Sequence, residues 1–561
     1  MEMEKKNVAI IVLAIALAAS GVGNIILGLQ GAQFVAPPNT TLVYGTASGP
    51  HVLDPVNAWD SASNDVIEQI AERLFAYNFS RLDLPRYPLL AETYWWETNT
   101  ILHIKVREGI VFHDLTPFDA NATKWNLDRL LYLTNCTGTL PSTMVPGDPS
   151  SLYFFPDGVT PIINNVVSDG AYNVTITLNA PFAPFLDLLC YTAGSMLSPA
   201  STPDDDFISL TYGRLIGTGP FVWEYYVPNV EVRLGRFDYY WQGPAFFEEV
   251  IMAIITDPTT RNNAMLGHEI DYLSGLITSL LDTYRADPTI HVEEYSFDNN
   301  VPSLVYQYLG MNNVLIPTHW RKAISYAVNY TYIIDELLNG LGIRANGPIS
   351  PGYGAPYNAS NQAAVFDLAV ARQVVVDNVP AAAGFPVNND PTDATWLGAT
   401  LATFNYTYNI GNSFREDMLD ALEAWLPAIG INVVDDGVTW SAYLRKLFGD
   451  YDELGLFFIG WAPDYKDPFN MLDPLFNPAS YADSGQVDDS KLNGMIALAL
   501  TTTDDTARAN IYKNIQWYLA NRLYPHVFVY HSVSISIHSA DLYGFWYNVY
   551  GALRFYPIYR A

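Results

Sequence analysis

Apolar and polar positions follow two rhythms along this chain. Val174, Ile176 and Leu178 alternate with polar neighbours, which predicts a strand over 173–178. Further strands are expected at 41–45 and at 101–106 paired with 110–112, the pair joined through Glu108 and Gly109. Helical spacing of Val66, Ile67, Ile70 and Leu74 predicts a helix capped by Ser61 or Ser63. A second helix is expected around 122–133, and a strongly amphipathic one from Trp320 to Leu338. The latter turns Ile324, Ala327, Val328, Ile334 and Leu338 inward and ends at Asn339 and Gly340. Residues 135–161, rich in Pro, Gly, Ser and Thr, read as a long loop, and 217–220 as a tight turn before an aromatic strand at 221–226.

From Thr400 onward strands and helices alternate. A strand at 400–407 precedes a helix capped near Asn412 or Ser413, with Met418, Leu422 and Trp425 on one face. A strand at 431–434, a helix near 441–448 and an apolar strand beginning at Leu456 follow. This order predicts an α/β fold with a mostly parallel sheet. There is no short repeat of the solenoid or propeller kind.

The Leu456 run stops at Gly460 and Trp461, and the next residues bring Asp464 and Tyr465. α/β proteins place ligand-binding groups in loops at the ends of core strands. A carboxylate between a Trp and a Tyr suits an ammonium or sugar hydroxyls held against an aromatic wall. An ordinary polar loop, with Trp461 packed in the core, explains the same residues.

Lys5 and Lys6 precede an uncharged apolar stretch over 7–29, 23 residues long and sufficient to span a bilayer. Lys5 and Lys6 would stay inside and the remainder outside. The small residues at 18–21 offer a signal-cleavage site, but the apolar pattern resumes at Ile25, which favours a retained anchor. No Cys closely follows the segment, so a lipid-modified N-terminal Cys is excluded.

A net charge of −30 argues against nucleic acid and anionic headgroups as partners, and charged residues at 15% argue against a disordered acidic chain. Aromatics make up 14%, among them 38 Tyr and 13 Trp, which suits a protein that presents amphipathic rings to a ligand. Asn-x-Ser/Thr sequons at Asn39, Asn78, Asn121, Asn135, Asn173, Asn329, Asn358 and Asn405 fit an exterior location. The only cysteines, Cys136 and Cys190, are available to pair there, and without a Cys-x-x-Cys motif they speak against structural zinc. Enzyme chemistry finds little support. Glu248-Glu249 and Asp435-Asp436 are sequence neighbours whose side chains point apart, and His113-Asp114, His526 and His531 lack a hydrolase or metalloprotease context. No cofactor is expected.

Several blocks, in order, resemble the family 5 extracellular solute-binding proteins of ABC importers, the oligopeptide/dipeptide-binding type. They are Leu90 to Trp96, then Ile104 to Pro117 with Leu115 where the family usually has Gly, and Gly217 to Phe221. Phe237 to Gly243, Ile255 to Pro258, Gly267 to Asp271, Arg321 to Ala327 and Gly460 to Pro468 complete the set. The resemblance covers roughly residues 40 to 555. It implies a two-lobed, periplasmic-binding-protein-like fold of type II with an extra inserted domain, preceded by the N-terminal hydrophobic helix. The implied divisions are 1–37 for anchor and linker, 38–80, 209–303 and 533–561 for lobe I, 81–208 for the insert, and 304–532 for lobe II. Asp464 stands where the family's ligand loop carries the Asp that pairs with a peptide α-ammonium. Trp461 and Tyr465 would wall the cleft, and Trp59 and Ser61 are lobe I candidates. The implied partners are a peptide or oligosaccharide ligand, ABC importer permease subunits and the membrane through the N-terminal segment, around a monomeric receptor. A surface-coat or adhesion protein of the same fold is the rival reading.

Overall fold

A computed structural model describes residues 40–561 apart from 82, 295–301 and 481. The 7–29 apolar run lies outside the described residues; among those described, no helix is long and apolar enough to cross a membrane. Three large sheets organise the chain. The first has seven strands, ordered Ile290–Glu293, Ser536–Ser539, Tyr272–Leu273, Thr41–Thr46, Glu249–Ile254, Glu231–Arg236 and Phe221–Val227. Thr41–Thr46 runs parallel to Glu249–Ile254 and is buried along its whole length, as expected of a strand covered on both faces.

The second sheet is antiparallel, ordered Ala91–Thr98, Ile101–Val106, Asn173–Leu178 and Ile163–Asp169. Here the expected pairing is corrected. The partner of Ile101–Val106 is Ala91–Thr98, and 110–112 contributes only a bridge between Val111 and Pro117. Gly109, at φ 78°, turns the chain out of the sheet. Ala91–Thr98 is marked only by the family resemblance of Leu90 to Trp96, because beyond Ala91 every residue is exposed and no alternating pattern reveals a strand.

The third sheet has six strands, ordered Gly342–Arg344, His526–Ser532, Tyr306–Met311, Leu456–Trp461, Ala402–Asn409 and Ile431–Val438. Only Ala402–Asn409 pairs in parallel, with Ile431–Val438 on one side and Leu456–Trp461 on the other. The remaining pairs are antiparallel, which corrects the expected mostly parallel sheet. Local alternation of strand and helix governs consecutive strands, whereas Tyr306–Met311 and His526–Ser532 join from distant parts of the chain.

Helix starts follow carboxylate and amide caps more than serine caps. Asp60, not Ser61 or Ser63, caps Ser61–Ile70 by accepting the Ser63 amide at 2.9 Å, while Ser63 Oγ accepts the amides of His51 and Val52. Asp119 caps Ala120–Leu133, and Asn412 caps Ser413–Trp425. The long helix expected over 320–338 is broken. Thr318–Ala327 ends where Val328 turns extended, and Asn329 starts a new turn by accepting the Tyr332 amide at 3.1 Å. The break shifts the register, so Ile333 rather than Ile334 is fully buried.

Cys136 and Cys190, whose pairing the sequence leaves open, are free thiols. Cys136 Sγ sits at Thr134 Oγ1 and the Tyr153 carbonyl, and Cys190 Sγ at the Leu186 carbonyl. Leu115, which replaces a glycine of the family pattern, still adopts the left-handed conformation, φ 65°. Its turn is held by Asp114, whose carboxylate accepts from Thr116, Ser198 and Ser201 hydroxyls at 2.5–2.6 Å. Burial pushes that carboxyl up, but these bonds outweigh it and hold it down at about 2.

Candidate functional site

The strand Leu456–Trp461 lies inside the six-stranded sheet, between Tyr306–Met311 and Ala402–Asn409. Leu456, Phe457 and Phe458 are buried because the sheet is covered there; exposure begins at Ile459, where the chain leaves it. The following loop is held by its own side chains. Asn470 spans it, accepting the Asp464 amide at 2.7 Å and donating Nδ2 to Asp464 Oδ2 at 2.9 Å. Trp461 is half-buried and donates its indole N–H to the Asn470 carbonyl at 2.8 Å.

Asp464 also receives groups from distant parts of the chain. Trp59 donates its indole N–H to Asp464 Oδ1, and the Tyr550 hydroxyl donates to the Asp464 carbonyl oxygen. Trp59 comes from the segment between Thr41–Thr46 and Ser61–Ile70, and Tyr550 follows Ser536–Ser539; both flank strands of the seven-stranded sheet. The carboxylate is thus a junction between the third sheet's loop and the first sheet's connections. Its burial pushes the carboxyl up to about 6 despite the bonds from Asn470 and Trp59, which favour the charged form.

The loop's far end is pinned by a buried ion pair. Arg508 grips Asp467 with two bonds, Nη1 to Oδ2 at 2.6 Å and Nη2 to Oδ1 at 2.7 Å, and Tyr512 adds its hydroxyl at 2.9 Å. Between these anchors, the Lys466 amide donates to the Tyr77 hydroxyl at 2.8 Å and Lys466 Nζ reaches the Asp83 carbonyl. Tyr77 in turn donates to Asp187, which also pairs with Arg86. The Tyr77 ring lies 5.9 Å from that of Tyr550.

Of the residues singled out in the sequence, Asp464, Trp461 and Trp59 converge here. Tyr465 is 2% exposed and packs in the core, which takes its ring away from any open wall. Ser61 is exposed in the first turn of its helix, and among the described residues no hydrogen bond ties it to Asp464. Sequence reasoning missed Asn470, Tyr550, Arg508 and Tyr512. Asn470 was within reach, six residues beyond Asp464, but the others arrive from more than 40 positions away and leave no local signal.

Comparison with known proteins fits this architecture. The family model for bacterial extracellular solute-binding proteins, family 5, matches residues 86–483. Heme-binding protein A of Haemophilus influenzae is 25% identical over 547 residues, covering 93% of this chain and 92% of that protein. The probable D,D-dipeptide-binding periplasmic protein DdpA of Escherichia coli is 26% identical over 500 residues, 86% of each. Among solved structures, the periplasmic binding protein DppA of Helicobacter pylori, in complex with the peptide STSA, superposes with a TM-score of 0.74 at 20% identity. That match covers 93% of this chain and 98% of that one. The expected type II periplasmic-binding fold is therefore present. The chain belongs to the extracellular solute-binding proteins of family 5.

Proposed function

We propose that this receptor captures a short peptide between two hinged lobes and delivers it to the permease of an ABC-type importer. The lobe division is 38–80, 209–303 and 533–561 for lobe I, 81–208 for the insert, and 304–532 for lobe II. In its support, the seven-, four- and six-stranded sheets draw their strands from these three sets of segments respectively. One observation carries the reading: Asp464 of lobe II is met by lobe I twice, Trp59 donating to its carboxylate and Tyr550 to its main-chain carbonyl oxygen. An anion at such a seam strengthens when water leaves, provided a cation arrives with the ligand. A peptide α-ammonium supplies that cation and a neutral sugar does not. The relative named for D,D-dipeptides and the neighbour bound to STSA favour the same class.

Trp461 and Trp59 then flank the ligand's first residue, and ligand contact with both lobes stabilises the closed form the permease meets. Capture without turnover, a monomeric receptor and retention on the membrane by residues 7–29 complete the proposal. Of the sequons, Asn121 and Asn173 are exposed and suit glycan attachment. Asn405 and Asn358 suit it poorly, since their Nδ2 atoms donate to the carbonyls of Glu453 and Lys513. Native mass spectrometry of gently purified protein, followed by calorimetry with a defined peptide mixture and with cello-oligosaccharides, tests the ligand class. Peptide masses and peptide heats are expected; heat from sugars alone overturns it.

A further inference from the structure

Phe246, Tyr543 and Tyr559 are 43%, 48% and 44% exposed, and together they form one aromatic patch. Tyr543 stacks on Tyr559 at 5.8 Å, across the short ribbon that pairs Leu542–Tyr543 with Tyr559–Arg560. Phe246 meets Tyr559 edge-on at 6.5 Å. Phe247 packs in the core beside it and fixes the segment, so Phe246 is left on the surface. Exposed rings scattered singly need no explanation, but a contiguous patch marks a surface that something covers.

The patch lies where the chain enters the fold. The Thr40 carbonyl accepts the amide of Glu248, two positions beyond Phe246, at 2.8 Å. The ribbon is tied to the same place, since Arg560 pairs with Asp271 Oδ1 while Asp271 Oδ2 accepts the Val43 amide at 2.8 Å. N-terminal to Thr40 come the ten uncharged residues 30–39, and before them the apolar run 7–29. Ten residues span at most about 35 Å when fully extended, so a membrane that holds 7–29 is within reach of these rings. Thr41–Thr46 runs parallel to both Glu249–Ile254 and Tyr272–Leu273, so Thr40, Glu248 and Asp271 share the starting end of the sheet. From the other end of Thr41–Thr46 the chain runs on to Trp59 and to Ser63, whose Oγ accepts the amides of His51 and Val52. The Asp464 seam and the aromatic patch therefore sit at opposite ends of the sheet.

We propose that Phe246, Tyr543 and Tyr559 rest on the bilayer at headgroup level and hold the tethered receptor with its Asp464 seam turned toward the medium. This rests on retention of residues 7–29 in the membrane and is independent of which ligand is captured. Phe and Tyr rings suit the boundary between headgroups and acyl chains, where a Tyr keeps its hydroxyl in water. Charge selects the lipid. Glu248 and Asp238 share Arg236, and Asp541 and Asp271 share Arg560, two carboxylates to each guanidinium. Such a rim is repelled by anionic headgroups and accepts a zwitterionic surface. Three rings alone bind a bilayer weakly, and the tether supplies the effective concentration that keeps them there. The receptor can then leave the contact to meet its permease.

The test is hydroxyl-radical footprinting of the full chain in phosphatidylcholine vesicles and in detergent, with flotation to show that the chain stays with the vesicles. Oxidation of Phe246, Tyr543 and Tyr559 is expected to fall about threefold or more in the vesicles, the scale of rings sunk to headgroup level. Trp95 and Trp440, 53% and 50% exposed on the other two bodies, serve as controls and should not change. Phosphatidylglycerol vesicles should protect the three rings less. Phe246→Ser should return the vesicle-to-detergent ratio at Tyr543 and Tyr559 toward one, with a wild-type urea midpoint showing the fold intact. Rings as reactive in vesicles as in detergent overturn the proposal, as does stronger protection on phosphatidylglycerol. Protection that grows with protein concentration at fixed lipid means that a second copy covers the rings, and overturns it too. A chain that fails to float overturns it through the tether. Failure of wild type to bind tri-alanine would sink the peptide reading alone, because the footprint uses no ligand.

Discussion

Replacing Arg508 with methionine removes a guanidinium and keeps most of its apolar stem. In the native chain that guanidinium makes two bonds to Asp467 at 2.6 and 2.7 Å, and its Nε donates to the Ala499 carbonyl at 2.9 Å. Arg508 is 9% exposed and Asp467 4%, so the carboxylate left behind cannot recruit bulk water without opening the site. Breaking such a pair from one side costs about 3–5 kcal/mol, mostly the penalty of the stranded charge. Tyr512, which bonds the same Asp467 oxygen at 2.9 Å, recovers only one neutral hydrogen bond. Urea unfolding of Arg508→Met at neutral pH should show this loss in the transition reported by lobe II. Asp467→Asn in the Arg508→Met background should return about 1–3 kcal/mol, because the stranded charge is gone. A single-variant loss below about 1 kcal/mol, or a double variant equal to the sum of the singles, refutes the assignment of the pair as the anchor of the Asp464 loop.

Four further outcomes are expected. Burial raises the Asp464 carboxyl to about 6, above its ordinary value near 3.8, so the folded chain holds a proton there that the unfolded chain releases. Its contribution to stability is therefore fullest below about pH 4 and is lost as pH rises through about 6; comparing wild type with Asp464→Asn across that range should isolate the slope. Tri-alanine affinity should move oppositely, rising with pH up to about 6 as the carboxylate ionises, and a flat profile counts against ammonium pairing. Leu115→Gly should stabilise by about 0.5–1 kcal/mol, because the left-handed backbone costs a branched residue more than glycine loses in chain entropy; Leu115 is 59% exposed, so little burial is given up, and lower stability by chemical denaturation refutes the strain. Alkylation under denaturing, non-reducing conditions should label both cysteines, since both are free; an unlabelled pair signals a disulfide.

The sequence by itself determined what short-range physics controls. The strands expected at 41–45, 173–178 and 221–226 and the helices expected around 122–133 and after Asn412 or Ser413 are present within a residue or two of those bounds, because such elements are held by neighbours a few positions away. It also singled out Asp464, Trp461 and Tyr465 as residue types suited to an ammonium or sugar hydroxyls, while Trp59 and Ser61 entered only with the family resemblance. It misread the partner of Ile101–Val106, because an exposed strand such as Ala91–Thr98 carries no alternation. It overextended the helix at 320–338, because an amide cap at Asn329 outweighed a continuous apolar stripe. Only the tertiary structure decided that Trp59 and Tyr550 meet Asp464 and that Arg508 pins Asp467. Those partners lie tens to hundreds of positions apart, and packing three sheets together, not any local preference, brings them to one place.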